Sequence, residues 1–243
     1  MTVHAEEVGA TFVLTIDRPD RRNAVDHATL DALAAGVQRA VDAGSRAIVL
    51  TGAGGHFCAG ADLTTLEDSG FATVLREVLD LFSTVPITTI AAIDGAALGG
   101  GTQLAISCDL RVATATARFG IPAAKLGLMV DAATVQRLAA LAGASTARAM
   151  LLAAETIDGE TAHRTGFVHR LGALDDALAW AGEIAALAPL TIAGHKLALE
   201  RLAPPPEADA LITEAFQRAW RSADVAEGRA AFHERRPPRF EGR

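Results

Sequence analysis

Two apolar runs in this chain end in clusters of glycine, and that pairing limits the fold more than any other feature. RAIVLT (46–51) runs into GAGG, and TTIAAID (88–94) runs into GAALGGG. A short, continuous apolar run stopped by glycine reads as a buried strand leaving its sheet through a tight loop. Glycine permits positive φ and lets a second backbone or a ligand come close. After the second cluster helix-forming residues resume at once, so free N–H groups sit at a helix N-terminus, where the dipole favours negative charge. If GAGGHFCAGADL (52–63) and GAALGGGTQLA (95–105) converge, they supply a pair of N–H donors for an oxyanion. Tight strand-to-helix packing calls for the same glycines, and spacing alone favours that plainer account.

The rest of the N-terminal half alternates in the same manner. TFVLTI (11–16) is a strand candidate that stops at the polar, proline-containing DRPDRRN. From Asp26 to Val41 the apolar residues Leu30, Leu33, Ala34, Val37, Ala40 and Val41 recur at helical spacing. LRVAT (110–114) is a further strand. Strands alternating with helices predict an α/β core. Beyond about Ala132 the segments VQRLAALAG, STARAMLLAAE, DGETAHRTG, LDDALAWAGEIAALAP, LTIAGHKLALERLA and 207–234 all read as helices, with Pro204, Pro205 and Pro206 breaking the tail in two. His195 and Lys196 fall on one of these helices, where a solvated face is expected. The predicted division is a core over residues 1–185 and a C-terminal helical region over 186–243. That region carries surplus apolar surface, which packing against other subunits and packing back on its own core account for almost equally well.

Composition narrows the function. Half of the 243 residues are hydrophobic, 21% are charged and tyrosine is absent, a soluble globular balance in one large domain or two small ones. The net charge of −7 argues against general nucleic-acid binding but allows a local basic pocket for a phosphorylated ligand. MTVHAEEVGA lacks the charged and apolar regions of a signal peptide, and no apolar run approaches the roughly 20 residues of a membrane span. A cytoplasmic protein is expected. Cys58 and Cys108 are far apart and read as buried or inert thiols. The seven histidines show no ligand spacing, and no metal site is expected. Both glycine clusters miss the last glycine of GxGxxG, and GxxxxGK[ST], GxSxG and HExxH are absent.

FCAGADL and ALGGGTQLAISCD closely resemble the two signature segments of the crotonase superfamily, the enoyl-CoA hydratase/isomerase family. DRPDRRNAV is similar to its N-terminal RP…NA segment and FGIPAAKLG to its FG.PE..LG segment. The motifs stand in the family's order over nearly the whole chain. The resemblance implies a spiral of ββα units with a C-terminal helical trimerisation region, assembled as a homotrimer or a dimer of trimers. It implies a coenzyme A thioester as ligand and no other cofactor. The thioester carbonyl would lie between the backbone N–H groups of Ala61 and Gly100. Ala59, Ala61, Asp62, Leu63 and Thr64 match the loop that contacts CoA. Arg21, Arg22 and Ala24 match the segment that touches it, and the two arginines could pair with its phosphates.

The same resemblance marks a departure. Hydratases of the family hold water between two glutamates, one two residues after GGG and one after the proline of FG.P. This chain has Gln103 and Ala123 there. An amide takes no proton and a methyl orients no water, so little hydratase activity is expected. Asp131, in LGLMVDAATVQRL, matches an aspartate that some members use as base or nucleophile. Capping the helix that begins near Ala132 is the plainer use of it. With Gln103, FGIPAAKLG, RAMLLAAE and PPRFEGR, the chain is similar to an actinobacterial hydratase-like branch for which acyl-CoA binding in lipid metabolism is the implied role. An acyl-CoA-producing enzyme is the protein partner this would suggest. The apolar stretch 71–85 is expected to border a long acyl chain.

Overall fold

The computed structural model describes residues 2–64, 70–202 and 210–241. They form two compact units, Met1–Phe119 with Ile157–Ala203, and Gly120–Thr156 with Pro204–Arg243. The units interleave along the chain, a division unlike the expected one at residue 185. The expected break at Pro204, Pro205 and Pro206 lies outside the described residues.

The first unit is built on a six-stranded sheet. A hairpin of β1 (Val3–Val8) and β2 (Thr11–Ile16) turns at Gly9, whose φ of +62° suits glycine. β2 then pairs in parallel with β3 (Ala47–Gly52), β3 with β4 (Thr88–Ile93), β4 with β6 (Leu110–Ala113) and β6 with β9 (Arg170–Leu171). The central strands β3 and β4 are largely apolar and buried, as expected of parallel strands covered on both faces, whereas β9 at the edge is exposed. On one face α7 (Leu174–Ala185) joins Ala177, Ala181 and Ile184 to Ala47, Val49, Ile90, Ala92 and Val112. Contacts also link α1 (His27–Asp42) with α2 (Phe71–Thr84), and α2 with α3 (Gly100–Ser107). α1 buries Leu30, Leu33, Val37 and Ala40, the expected stripe, whereas Val41 at its end stays 39% exposed. The apolar face of α2, expected beside an acyl chain, is taken up by core packing through Phe71, Leu75, Val78, Leu79 and Phe82. A second small sheet holds β5 (Ala96–Leu98), β7 (Arg118–Gly120) and β8 (Ile157–Asp158). α6 (Gly159–Arg164) starts directly after β8, capped by the Asp158 side chain on Thr161 N–H.

α8 (Pro189–Glu200) corrects one expectation. Lys196 is 6% exposed, not solvated. Its ammonium donates to the carbonyls of Phe82 and Ile87 at 3.0 Å each and to Asp109 Oδ2 at 2.7 Å. The same carboxylate oxygen accepts from Thr89 N–H and Thr89 Oγ1–H. A solvated face is the default expectation for a helical lysine, but here four methylenes carry the ammonium to a carboxylate that burial would otherwise penalise. Around it α8 leaves Leu190, Leu197 and Leu199 more than half exposed.

In the second unit a 3₁₀ turn, Pro122–Leu126, is gripped by α10 (Ala223–Glu234). The absence of a Cβ at Gly228 lets α10 lie against the Leu126 backbone, and Gly127 does the same for Asp224. α4 (Ala132–Ala142) and α5 (Ala144–Leu152) pack on each other, and Trp220 of α9 (Ala210–Arg221) donates its indole N–H to Met129 O at 2.8 Å. Among the described residues no single helix is long and apolar enough to cross a membrane.

Two outcomes follow from this packing. Lys196→Met should cost about 3 kcal/mol in urea unfolding, because it strands a largely buried carboxylate, and adding Asp109→Asn should recover much of that loss. Burial pushes both thiols, Cys58 and Cys108, up to about 12. They should resist alkylation at pH 8 until the protein unfolds. Since the folded pKa lies above the ordinary value of 9.0, their contribution to stability is full below pH 9 and lost as pH rises through 12, which alkaline unfolding followed by circular dichroism would read.

Candidate active site

The two glycine loops do converge, and the main chain between Cys58 and Asp62 explains how. Cys58 N–H donates to Ala96 O, and Cys58 O accepts from Leu98 N–H, so this segment runs parallel to β5 on one side. On its other side Ala59 N–H donates to Arg22 O, Val25 N–H to Gly60 O and Asp62 N–H to Val25 O. Gly60 N–H meets the Cys58 sulfur at 3.5 Å. Every N–H from 58 to 62 is thus spent, except that of Ala61, which has no acceptor among the described residues.

Gly100 stands beside it. It is the first residue of α3, so its N–H belongs to the first turn, which has no intrahelical acceptor. Gly99 before it takes φ +52°, a conformation that turns the strand sharply into the helix. A Cβ built on Gly100 would lie 3.4 Å from Ala61 N, and one built on Gly60 would lie 3.6 Å from Gly100 N. The backbone nitrogens of Ala61 and Gly100 therefore lie near each other where the two loops meet. Gly101 faces the other way, where a side chain would collide with the Cys58 carbonyl. Gln103, one turn further, is 6% exposed.

The segment 18–26 supports the loop from below, through residues the sequence reading did not single out. Asn23, fully buried at φ +59°, donates to Ala53 O at 2.8 Å and His56 O at 2.6 Å, while its Oδ1 accepts from Arg18 N–H. Arg18 reaches Asp26 at 2.9 Å and Asp62 at 3.0 Å, and donates to Ala24 O. Asp26 also caps α1 by accepting from Thr29 N–H. One guanidinium thus ties the start of α1 to the loop that carries Ala61. Burial pushes the Asp62 carboxyl up, but hydrogen bonds from Thr64 and Arg18 outweigh it and leave it below the usual carboxylate range. The proline turn DRPDRRN was visible in the sequence. The buried amide and partly buried guanidinium inside it were not, because nothing in their spacing separates them from the exposed Arg21 and Arg22.

Of the residues named from sequence, Ala59, Ala61, Asp62, Leu63, Thr64 and Gly100 lie in these two loops, and Arg21, Arg22 and Ala24 lie on the neighbouring turn. Asp131 belongs to the second unit, where its Oδ1 accepts from Thr134 N–H at 2.6 Å as the cap of α4.

Residues 6–243 match the enoyl-CoA hydratase/isomerase family. A protein of Mycobacterium bovis named "Probable enoyl-CoA hydratase echA6" is 44% identical over 238 residues, 96% of this chain and 97% of that one. A carnitinyl-CoA hydratase structure from Mycobacterium avium superposes with a TM-score of 0.87 at 32% identity, covering 100% of this chain and 99% of its own. A methylmalonyl-CoA decarboxylase reaches a TM-score of 0.91 at 24% identity over 100% and 99% of the two chains, a likeness of fold. This chain has the crotonase fold and belongs to the enoyl-CoA hydratase/isomerase family.

Proposed function

We propose that this enoyl-CoA hydratase-like protein binds acyl-CoA thioesters and hydrates 2-enoyl thioesters with little or no turnover. The observation that carries the reading is the pair of unspent N–H groups at Ala61 and Gly100, set side by side with no acceptor among the described residues. A thioester carbonyl is the acceptor that fits them. Arg21 and Arg22, exposed on the adjacent turn, are the cations offered to the CoA phosphates, whereas Arg18 is committed to Asp26 and Asp62. Gln103 and Ala123 stand where the resemblance puts the two glutamates that move protons. One donor pair survives that can grip and polarise the carbonyl, without the partners that finish the chemistry.

The second reading makes Asp131 a base for enoyl-CoA isomerisation, which needs only one proton carrier. It is the weaker, because one carboxylate oxygen already accepts the Thr134 N–H. A trimer or a pair of trimers would cover the leucines exposed on α8, and the proposed setting is fatty acid metabolism.

Calorimetric titration with acyl-CoAs tests the binding. Affinity should rise with chain length by up to about 0.8 kcal/mol per buried methylene and fall with salt as the phosphate pairs are screened. Gly100→Ala sets a methyl in ordinary contact with Ala61 N, where the carbonyl oxygen would sit. It should fold normally and lose about tenfold or more in affinity. No binding by the folded wild type at any length would end the proposal.

For turnover, each missing acid–base group is worth about 10²–10⁴-fold. Crotonyl-CoA hydration followed by absorbance should therefore run several orders of magnitude below that of a family member with both glutamates. Any isomerase activity that survives Asp131→Asn, which keeps the helix cap, removes Asp131 as the base.

A further inference from the structure

Arg111, the second residue of β6, is 1% exposed. Its Nη1 donates to Cys108 O at 3.0 Å and Ala105 O at 3.3 Å, and its Nε donates to Phe167 O at 2.7 Å. The guanidinium also lies against the Phe167 ring, 5.4 Å from its centre. A buried guanidinium costs more than an apolar side chain of similar volume, so packing alone does not call for one. Its partners show what it holds. Ala105 belongs to the last turn of α3, whose carbonyls have no helical N–H to accept from. Asp109 N–H, which would continue the helix onto Ala105 O, goes instead to Thr89 Oγ1. The cation thus stands at the negative end of α3, where the helix dipole favours it. Through Nε it fastens that end to the segment between α6 and β9. α3 itself is short and wholly buried. At a rise of about 1.5 Å per residue, about 10 Å separates its two ends. At the N-terminal end a Cβ on Gly101 would collide with Cys58 O, so the helix already meets the loop of Ala61 backbone to backbone. Moving the C-terminal end of so stiff a rod moves Gly100 against that loop.

We infer that Arg111 is a positioning residue for the carbonyl site: by tying the C-terminal end of α3 to Phe167 it sets where the Gly100 N–H stands relative to the Ala61 N–H. The inference rests on the reading of that pair as the donors to a thioester carbonyl. Hydrogen bonds weaken steeply with misalignment, and here two donors from different loops must meet one oxygen. A helix that settles differently therefore loses its grip on the carbonyl before the fold is lost. The rest of a CoA ligand does not depend on α3 in this way. A lysine is not equivalent to Arg111. The planar guanidinium serves carbonyls in two directions at once, whereas an ammonium that reaches the end of α3 leaves Phe167 O without its donor.

The test is calorimetric titration of the full chain with decanoyl-CoA and with S-decyl-CoA, a thioether of the same length that lacks the carbonyl. The wild type should bind the thioester about fivefold tighter or more, the range of two neutral hydrogen bonds. Arg111→Met should lower that ratio at least about threefold while S-decyl-CoA affinity stays within about twofold. Arg111→Lys should fall between the two. With decanoyl-CoA labelled with carbon-13 at the carbonyl, the resonance should move downfield on binding the wild type and move less on binding either variant. A folded variant that keeps the wild-type ratio and shift overturns the inference. So does one that weakens both ligands in equal proportion, since Arg111 would then serve the fold alone. Should Arg111→Met fail to fold, Arg111→Lys decides by the same ratio. Equal affinity of the wild type for the two ligands overturns the carbonyl site itself and this inference with it.

Discussion

The candidate site depends on a ladder of main-chain hydrogen bonds that is complete except at one rung. Cys58 is bonded to the β5 side and residues 59–62 to residues 22–25, and the pattern leaves the N–H of Ala61 without an acceptor among the described residues. Such a donor cannot be made by a flexible loop, which would fold back and satisfy itself. It needs neighbours that use up every competing acceptor. α3 supplies the second donor by the same logic, since the first turn of any helix has N–H groups with nowhere to go. Among the described residues the loop thus leaves the Ala61 and Gly100 N–H groups without acceptors while its other N–H groups from 58 to 62 are bonded.

Charge enters one layer out. Arg18 joins Asp26 and Asp62, and Asp26 caps α1. The helix start, the turn and the loop therefore move as one piece, held by partly buried ion pairs that water screens poorly. Asn23 adds a neutral version of the same clamp, with its amide on two carbonyls and its oxygen on a backbone N–H. A site whose useful atoms are backbone has to be built this way. The side chains around it hold main-chain direction through their bonds to backbone carbonyls and to Asp62.

How far the sequence could be read varied with the physics involved. β2, β3, β4 and β6 were legible because parallel strands covered on both faces are continuous apolar runs. α1 was legible from its period. β1 was not singled out, because VHAEEV carries a polar face with little to distinguish it from a loop. β8 and β9, two residues each, are defined only by the partners they find. The convergence of the two glycine loops came from family resemblance, since spacing by itself favoured simple packing. The Asp131 cap was readable from the residue type and its position before a helix. Lys196 was misjudged because residue type alone suggests a solvated lysine, while the buried carboxylate that claims it lies 87 residues away in sequence.

That buried lysine also bears on the order in which the chain can become a protein. Asp109 lies at the entry to β6, and its ammonium partner is 87 residues further along. Until that residue is available, the Asp109 carboxylate has the Thr89 N–H and hydroxyl of β4 as donors but no cation. The carbonyls of Phe82 and Ile87 wait for the same donor across 114 and 109 residues. Contacts of this span cost loop entropy before they return anything, which slows folding. On the ribosome the sheet would emerge early and mature late, with its polar lock closing only after α8 has been made.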